Sequence, residues 1–323
     1  MDGSFNSAYG LDSVVRLFGD DYLTVKWAQT FENGYKNAPL SLDPARFFVR
    51  WQRRNQKGLS GGLSYARVGN DYNPGMGFEM RHDYSRFVGG LLYGWFPGDA
   101  SPIFNHQAFL NGFFCWRNAD RSLEYIEIDP GWKIDTKSGF SAAIGPKFFI
   151  DNIPENFSLS EKVNVPKGLY RYWGLNATLA TPGGKPLQAQ SVFDAGSFYD
   201  GRRISLSVAP SWYVSSDLEL SGFYEFDRVA FPVRSQGMAA HIARIKALYM
   251  LSTRFSASAF IQFNSAANAV IANVRLRYNP REGVDVYLVY NEGLNTRRYR
   301  ESPALPFSSG RTVMLKCTYT FVL

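Results

Sequence analysis

The sequence predicts an all-β protein, a transmembrane antiparallel up-and-down β-barrel of about 18 strands, within a range of roughly 16 to 20. Three observations predict this fold class. Apolar and polar residues alternate along most of the 323-residue chain, as in strands with one apolar face. Many alternating runs approach ten residues, a length that crosses a bilayer at a tilt, whereas soluble strands average about five or six. Aromatic residues make up 16% of the chain and gather near the ends of the greasy faces, as membrane-barrel girdles do.

The strands are predicted from runs in which every second residue is apolar. In chain order the clearest runs are Leu23–Ala28, Arg46–Gln52, Ser122–Ile128, Arg203–Trp212, Leu218–Asp227, Phe255–Asn264, Asn273–Tyr278, Val284–Asn291 and Thr312–Leu323. Aromatic residues expected near the ends of these greasy faces are Trp27, Trp51, Tyr278, Tyr290 and Tyr319. Between the runs lie Gly-, Pro-, Asn- and Asp-rich turns, since these residues supply the backbone angles that turns need.

Four longer connections are predicted, at Glu32–Asp43, Asp151–Lys167, Ala230–Gly237 and Gly293–Gly310. The last three fall on one side of the membrane if the chain alternates up and down. The alternation of connection lengths slips around Asn55–Gly75, which leaves the strand count there uncertain by one.

Two local features test the strand interpretation. Met238–Leu251 is rich in good helix formers, yet we predict a strand because its neighbours need an antiparallel partner and only a short turn follows. In Ser122–Ile128 the first half places Leu123 and Tyr125 opposite Glu124, whereas Ile126 and Ile128 follow the other parity, so we predict a β-bulge. The glycine pairs Gly61-Gly62 and Gly89-Gly90 are expected where strands bend or pack closely.

Composition excludes several classes of protein. There is no run of about 18 apolar residues, which a membrane-spanning helix requires. The net charge of +7 comes from basic residues scattered among carboxylates, so we expect no nucleic-acid partner. The two cysteines, Cys115 and Cys317, suggest neither a disulfide framework nor a zinc site. Met1 is not followed by a secretion signal, which predicts either a cytoplasmic start or a chain that begins inside a longer protein.

No catalytic motif stands out. His82, His106 and His241 lack the spacing of metal ligands, and no P-loop, dinucleotide motif or nucleophile elbow is present. Ser85 near His82 and Asp83 is the one tight cluster of the Ser-His-acid kind, and residues this close on one turn do not make a triad by sequence alone. We therefore expect no enzyme, no cofactor and no metal.

The segment Phe260–Gly293 resembles the signature of an uncharacterised Gram-negative outer-membrane barrel family, whose members carry a family-9 carbohydrate-binding-module-like domain ahead of the barrel. The resemblance rests on Gln262, Asn264, Asn273–Arg277 and Val289–Asn291, with weaker echoes at Asn73–Arg81, Gly196–Arg203 and Arg228–Pro232. It implies a single barrel domain over residues 1–323, the C-terminal part of a longer protein. It establishes no activity, and the chain departs from the family in lacking the signal peptide, the preceding module and a terminal aromatic residue at Leu323.

If lipid covers the greasy face, the charged residues of the other face point into the lumen, since an Arg or Lys facing lipid near the midplane costs about 2–4 kcal/mol. The residues predicted to line the lumen are Lys26, Arg46, Arg50, Glu124, Arg203, Glu219, Glu225, Asp227, Arg244, Lys246, Arg275, Arg277, Asp285 and Lys316. Their mixed signs leave two outcomes open. Opposite charges pair and fill the lumen, or excess arginine lines a water path that favours anionic solutes such as acidic sugars.

Two functions follow as hypotheses. The first is a porin-like channel in the bacterial outer membrane for small, anionic or sugar-like solutes. The second is a non-conducting anchor or scaffold for a carbohydrate-binding-like module or a larger outer-membrane assembly. Expected partners are outer-membrane lipid and a periplasmic or surface protein, or a plug.

Overall fold

The computed structural model describes residues 5–32 and 40–320, and most of them lie in nineteen strands. The first ten are β1 (Asn6–Phe18), β2 (Asp21–Glu32), β3 (Ala45–Arg53), β4 (Gly58–Val68), β5 (Tyr84–Trp95), β6 (Ile103–Arg117), β7 (Leu123–Thr136), β8 (Ser141–Ile153), β9 (Phe157–Ser160) and β10 (Val163–Val165). The others are β11 (Gly168–Ala180), β12 (Leu187–Phe198), β13 (Gly201–Tyr213), β14 (Leu218–Phe231), β15 (Gln236–Met250), β16 (Phe255–Asn264), β17 (Ala269–Arg281), β18 (Val284–Asn295) and β19 (Ser308–Tyr319).

Seventeen strands belong to one sheet, and β9 with β10 form a second, two-stranded sheet. The all-β prediction and its strand count are thus confirmed. Two 3-10 turns, Pro232–Arg234 and Arg298–Arg300, interrupt the strands. Within residues 5–32 and 40–320, no helix has both the length and the apolar character needed to cross a membrane.

The chain divides into two compact units. Unit 1 contains β1 to β7 with Ala143–Phe157 and Val165–Leu175, and unit 2 contains Ser138–Ala142, Ser158–Asn164 and the chain from Asn176 onward. In unit 1, β1 to β7 pair antiparallel in sequence order. In unit 2, β12 to β19 do the same.

The segment predicted as a strand at Met238–Leu251 is a strand as far as Met250, despite its helical propensity. It forms most of β15, which pairs with β14 over its full length and with β16 over its second half. Pairing on both sides satisfies the backbone donors and acceptors of a segment that a helix would satisfy internally, so tertiary context overrides propensity here.

The predicted bulge is present in unit 1. Cys115 pairs with Tyr125 and Trp116 pairs with Leu123, so Glu124 is the extra residue in the register between β6 and β7. The bulge corrects the face predicted for Tyr125. Its ring packs edge-on against Phe113 at 5.7 Å, and its hydroxyl donates to Glu127 at 2.8 Å.

Three connections differ from the prediction. The link predicted as long at Ala230–Gly237 has only four residues, because β14 continues to Phe231, whose side chain is buried, before the Pro232 turn. The turn at Pro280–Gly283 shortens to two residues, since β17 absorbs Pro280 through a register shift between Tyr278 and Arg281. Around Asn55–Gly75, where the predicted alternation of short and long connections fails, the chain forms a short turn at 54–57 and then β4. A long connection at 69–83 follows β4. The part of the last predicted strand beyond Thr320, and residues 33–39 of the first long connection, lie outside the described residues.

Candidate functional site

The register of unit 1 sorts its residues onto two faces. Three cross-strand rows form what we call the polar face: Lys26, Phe48, Ala66, Arg86, Cys115 and Tyr125; Thr24, Arg50, Ser64, Val88, Phe113 and Glu127; Tyr22, Gln52, Gly62, Gly90, Asn111 and Asp129. The alternate residues, which include Val49, Tyr65, Phe87, Phe114 and Ile126, form the apolar face. The two faces arise because successive side chains along a strand point to opposite sides of the sheet.

A depression lies in the polar face between β3 and β7. Its volume is about 1190 Å³, and its lining includes Gly62, Gly90 and Asn111. The backbones approach closely here: a Cβ at Gly61 would lie 2.1 Å from the carbonyl oxygen of Gly90, and one at Gly62 would lie 2.9 Å from that of Trp51. The glycine pairs therefore sit where strands pack closely, as predicted, and their missing side chains leave room for a solute.

Arginines line the β3–β5 flank of the depression. Arg50 is exposed, and its side chain forms no ion pair or hydrogen bond with the described part of the chain. Arg86 lies over the ring of Tyr84 at 5.5 Å, and Arg54 over that of Tyr22 at 4.3 Å. These ring contacts fix the guanidinium groups without neutralising them.

A fourth arginine, Arg53, also lines the depression but is already neutralised. It holds Asp21 through two hydrogen bonds of 2.8 and 2.7 Å. Such bidentate pairing satisfies the carboxylate, so Arg53 adds little free positive charge to the flank.

Carboxylates line the β7 side of the depression. Glu127 accepts a hydrogen bond from the hydroxyl of Tyr125, and Asp129 lies beside Glu127. Lys147 on β8 is the cation that acts electrostatically on Asp129. The Oδ1 atom of Asp129 is nevertheless buried without a hydrogen-bond partner. The depression is thus basic on one side and acidic on the other, with a floor of glycines and an amide between them.

The 69–83 connection folds against the same polar face. Tyr72 is buried with Val68, Tyr84 and Cys115, and Ala28 and Phe113 pack against this cluster. Burial raises the pKa of the Tyr72 hydroxyl above its usual range, which keeps the phenol neutral.

Polar contacts hold this connection at several points. Arg46 pairs with Glu79 at 3.5 Å, and Arg81 pairs with Glu124. The Asn73 side chain donates to Glu32, and its backbone N–H donates to the hydroxyl of Thr30 at 3.1 Å. These contacts position a loop across one end of the unit 1 polar face, a feature for which alternation gave no signal.

The predicted residues of unit 1 fall into two groups. Lys26 and Arg50 are exposed on the polar face, whereas Arg46 and Glu124 are engaged by the 69–83 connection. Sequence reasoning missed Arg86, Glu127 and Asp129. Glu127 could have been found from the parity of Ile126 and Ile128 that flank it.

In unit 2 the polar face is the side of the strands opposite Leu206, Ala243 and Leu276, and two pairs of its opposite charges are neighbours. Arg203 binds Asp227 at 2.6 Å, and Arg277 binds Asp285 at 2.7 Å. Glu219 accepts from Ser211 at 3.3 Å, and Arg244 lies over the ring of Phe223 at 4.8 Å. Within the described part of the chain, the remaining predicted members form no ion pair; they are Glu225, Lys246, Arg275 and Lys316.

Two further ion pairs of unit 2 lie away from the predicted set. Arg311 binds Glu292 at 2.5 Å, and both residues follow the parity of the apolar side chains, close to the 296–307 connection. Arg234 binds Asp200 at 2.8 Å and also donates to the backbone oxygen of Asn164. It therefore links the β9–β10 hairpin to the β12–β13 turn.

Ser85 does not form a triad in the structure. Its hydroxyl is buried, donates to the Asn118 amide oxygen at 2.6 Å and lies 3.1 Å from the hydroxyl of Tyr65. His82, three residues away, is exposed. The cluster is a hydrogen-bonded strand terminus.

The apolar faces of both units are exposed. In unit 1, Leu63 and Phe87 expose about half of their surface, at 53% and 52%. In unit 2, Ile245 and Leu315 expose 67% and 68%. A soluble monomer rarely exposes apolar patches beyond a few hundred Å². In each unit the apolar side of the sheet is therefore the side that needs a covering other than protein.

Comparison with known proteins gives no relative by sequence. No family model matches the chain, and no curated protein matches it. Among solved structures it is similar to the ferric-catecholate import receptor Fiu from E. coli K12 in its open form, with a TM-score of 0.51 and 8% identity over 98% of this chain and 67% of that chain. It is also similar to an anion-selective porin from Comamonas acidovorans, with a TM-score of 0.40 and 12% identity over 97% of this chain and 94% of that one.

The likeness to the import receptor shows the fold. The chain has the antiparallel up-and-down architecture of an outer-membrane β-barrel, so the predicted fold class is confirmed. At 8% identity the likeness carries no information about what the chain transports or binds.

Proposed function

We propose that the protein is a porin-like conduit of the bacterial outer membrane, for small solutes that are anionic or sugar-like. The observation that carries the proposal is the pairing of an exposed apolar face with a charged opposite face in each unit. Hydrocarbon satisfies the first face and water the second. Outer-membrane lipid is then the partner of the apolar faces, and the predicted charged residues line a water-filled lumen.

Energetics support this assignment of faces. Exposing one Arg or Lys to lipid near the midplane costs about 2–4 kcal/mol. If the two faces were reversed, several cations would face lipid and each would add this cost. They are Arg50, Arg86 and Lys26 in unit 1 and Lys246 and Arg275 in unit 2. Several such costs exceed the stability of an ordinary domain, about 5–15 kcal/mol.

The charge balance favours anions. Three arginines without a bonded carboxylate in the described residues line the depression of unit 1, and they outnumber its two carboxylates, Glu127 and Asp129; the arginines are Arg50, Arg54 and Arg86. Excess positive charge in a narrow water path raises the local concentration of anions and lowers that of cations.

Planar-bilayer recording tests the proposal. The folded protein should open conducting steps, and under a KCl gradient the reversal potential should indicate anion preference. The double variant Arg50→Gln/Arg86→Gln should lower that preference, whereas Arg254→Gln, in the exposed turn between β15 and β16, should leave it unchanged. Protein that shows heat-modifiable migration, and is therefore folded, yet stays silent at all voltages would contradict a conduit.

A second candidate function is a non-conducting anchor for a carbohydrate-binding-like module or a larger outer-membrane assembly. It is favoured by the paired charges of unit 2 and by the 69–83 connection that lies against the polar face of unit 1. Its periplasmic or surface partner should be recovered when the full-length native protein is isolated from membranes. We propose no catalytic role beside either candidate function, since Ser85, the one candidate nucleophile, forms hydrogen bonds with Asn118 and Tyr65.

A further inference from the structure

We propose that the depression of unit 1 is a binding site for short zwitterionic peptides, with the peptide carboxylate at Arg50 and Arg86 and its ammonium group at Glu127 and Asp129. The proposal deepens the conduit function, since a solute reaches this face only through water. It names a solute class that carries both charges, in addition to the anions that the arginines alone would favour.

The first support is that the two signs of charge face each other without neutralising each other. Arg86 on β5 and Glu127 on β7 are two strands apart, so their backbones are separated by about 10 Å across the sheet. Arg50 on β3 is four strands from Glu127, or about 19 Å along the sheet. Between them the lining offers Gly62, Gly90 and Asn111, none of which carries charge.

The second support is the unsatisfied atom on the acidic side. Asp129 Oδ1 is buried and has no hydrogen-bond partner, although Asp129 lies beside another carboxylate. A buried acceptor without a partner is unfavourable, more so when it is charged, and such atoms in native structures call for an explanation. Lys147 offsets part of the negative charge but leaves Oδ1 unbonded. Rotation of the carboxyl group would turn this oxygen toward the depression that Asp129 lines, where an ammonium donor from a solute would satisfy it.

The third support is size. Extended peptides rise about 3.4 Å per residue, so a peptide of two to four residues spans roughly 7–14 Å. Arginine and glutamate side chains shorten the distance that a ligand must bridge between the flanks. The cavity of about 1190 Å³ exceeds the volume of such a peptide and leaves space for water. Phe48, Phe109 and Phe113 in the lining offer apolar contact to its side chains.

Three probes of nearly equal size test the proposal by isothermal titration on the folded, detergent-solubilised protein at neutral pH. Trialanine carries both charges, N-acetyl-trialanine only the carboxylate, and trialanine amide only the ammonium. Trialanine should bind at least about tenfold more tightly than either of the others, a difference of about 1.4 kcal/mol. Equal affinities for the three probes, or no binding of trialanine, would overturn the proposal.

Variants assign each end of the peptide. Arg50→Gln/Arg86→Gln should weaken binding of trialanine and N-acetyl-trialanine and leave trialanine amide unchanged, and Asp129→Asn should do the converse. Glu127→Gln replaces Asp129→Asn if the latter fails to fold, and Arg244→Gln, on the polar face of unit 2, serves as the matched control. Losses that are the same for all three probes would reject the assignment.

The outcomes separate this proposal from the conduit. Protein that conducts but does not distinguish the three probes rejects the peptide site alone. Silent bilayers together with tight, charge-dependent binding of trialanine reject the conduit and leave the site in place.

Discussion

The two units have polar faces of similar composition and use their charges differently. In unit 2, Arg203 and Asp227 lie on neighbouring strands and bond directly, as do Arg277 and Asp285. In unit 1, Arg86 and Glu127 are held two strands apart by a floor without charge. The first arrangement pairs the charges within the protein, whereas the second leaves Arg86 and Glu127 unbonded to each other, as the proposed peptide site requires. Composition alone does not distinguish them, because the cross-strand register decides which charges meet.

The largest effect on unit 1 is expected from a substitution in the floor of the depression, where the strands that separate its charges pack closely. Gly61→Ala should lower the free energy of unfolding by about 2–5 kcal/mol, because a Cβ would meet the Gly90 carbonyl and the φ of Gly61 is +135°. Urea unfolding followed by the heat-modifiable gel shift measures this loss. Gly183→Ala, in a turn of unit 2 with no atom within 4 Å of a new Cβ, is the control and should be near neutral. Equal stabilities of the two variants would show that the strands do not approach as described.

Removal of the Arg234 side chain should have the next largest effect, and it lies in unit 2. Its guanidinium donates to Asn164 and Asp200 and lies 4.1 Å from the centre of the Phe231 ring. Arg234→Ala should cost about 1.5–3 kcal/mol, the range for hydrogen bonds to charged groups.

The local consequence of Arg234→Ala should be release of the β9–β10 hairpin. Limited trypsin digestion, read by mass spectrometry, should then cut faster after Lys162 in the hairpin turn. Arg254→Ala, in an exposed turn, is the matched control. Unchanged cleavage at Lys162 would mean that the hairpin is held by its other contacts.

Double-mutant cycles compare the two polar faces directly. The cycle of Arg203→Gln with Asp227→Asn should give a coupling energy of about 0.3–1 kcal/mol, since the pair is bonded but partly exposed. The cycle of Arg86→Gln with Glu127→Gln should give a value near zero because the uncharged floor separates the two groups. A coupling in unit 1 as large as that in unit 2 would mean that its flanks pair in solution.

Alternation predicted much of the fold and part of the site. It placed Arg277 and Asp285 on one face with the apolar Val274 and Leu276 on the other, and the register agrees. It also predicted β15 against helix propensity. These successes have one cause, since the period of two is a local property of the chain and every strand repeats it.

The remainder of the site depended on contacts between distant residues. Tyr72 reaches the polar face through the 69–83 connection, which has no periodicity to interpret. Arg86 and Asp129 line one cavity because two separate registers, β5 with β6 and β6 with β7, align their strands. The Glu124 bulge moved Tyr125 to the other face, and the sequence indicated a bulge without giving its position.

The smallest effect is expected at two turns, one in each unit, whose contributions to stability should depend differently on pH. In unit 1, the Asp120 carboxylate accepts from the hydroxyl and the backbone N–H of Ser122, at 2.6 and 2.9 Å. These hydrogen bonds, and then the charge of Arg117, hold the pKa of Asp120 below its usual range. In unit 2, the corresponding acceptor is the neutral hydroxyl of Ser215, which accepts hydrogen bonds from the backbone N–H groups of Asp217 and Leu218.

A carboxyl whose pKa is lower in the folded state stabilises the fold above the pKa of the unfolded chain and loses that contribution as pH falls through the folded pKa. Asp120→Asn should therefore be less stable than the parent protein at neutral pH, and the difference should shrink as the pH is lowered below about 4. Ser215→Ala should lower stability by the same amount at every pH, because a hydroxyl does not titrate in this range. Urea unfolding of both variants and the parent at a neutral and an acidic pH measures the two differences. If the Asp120→Asn difference stays constant with pH, the carboxylate of that turn contributes no more than a neutral acceptor, and the two turns are equivalent.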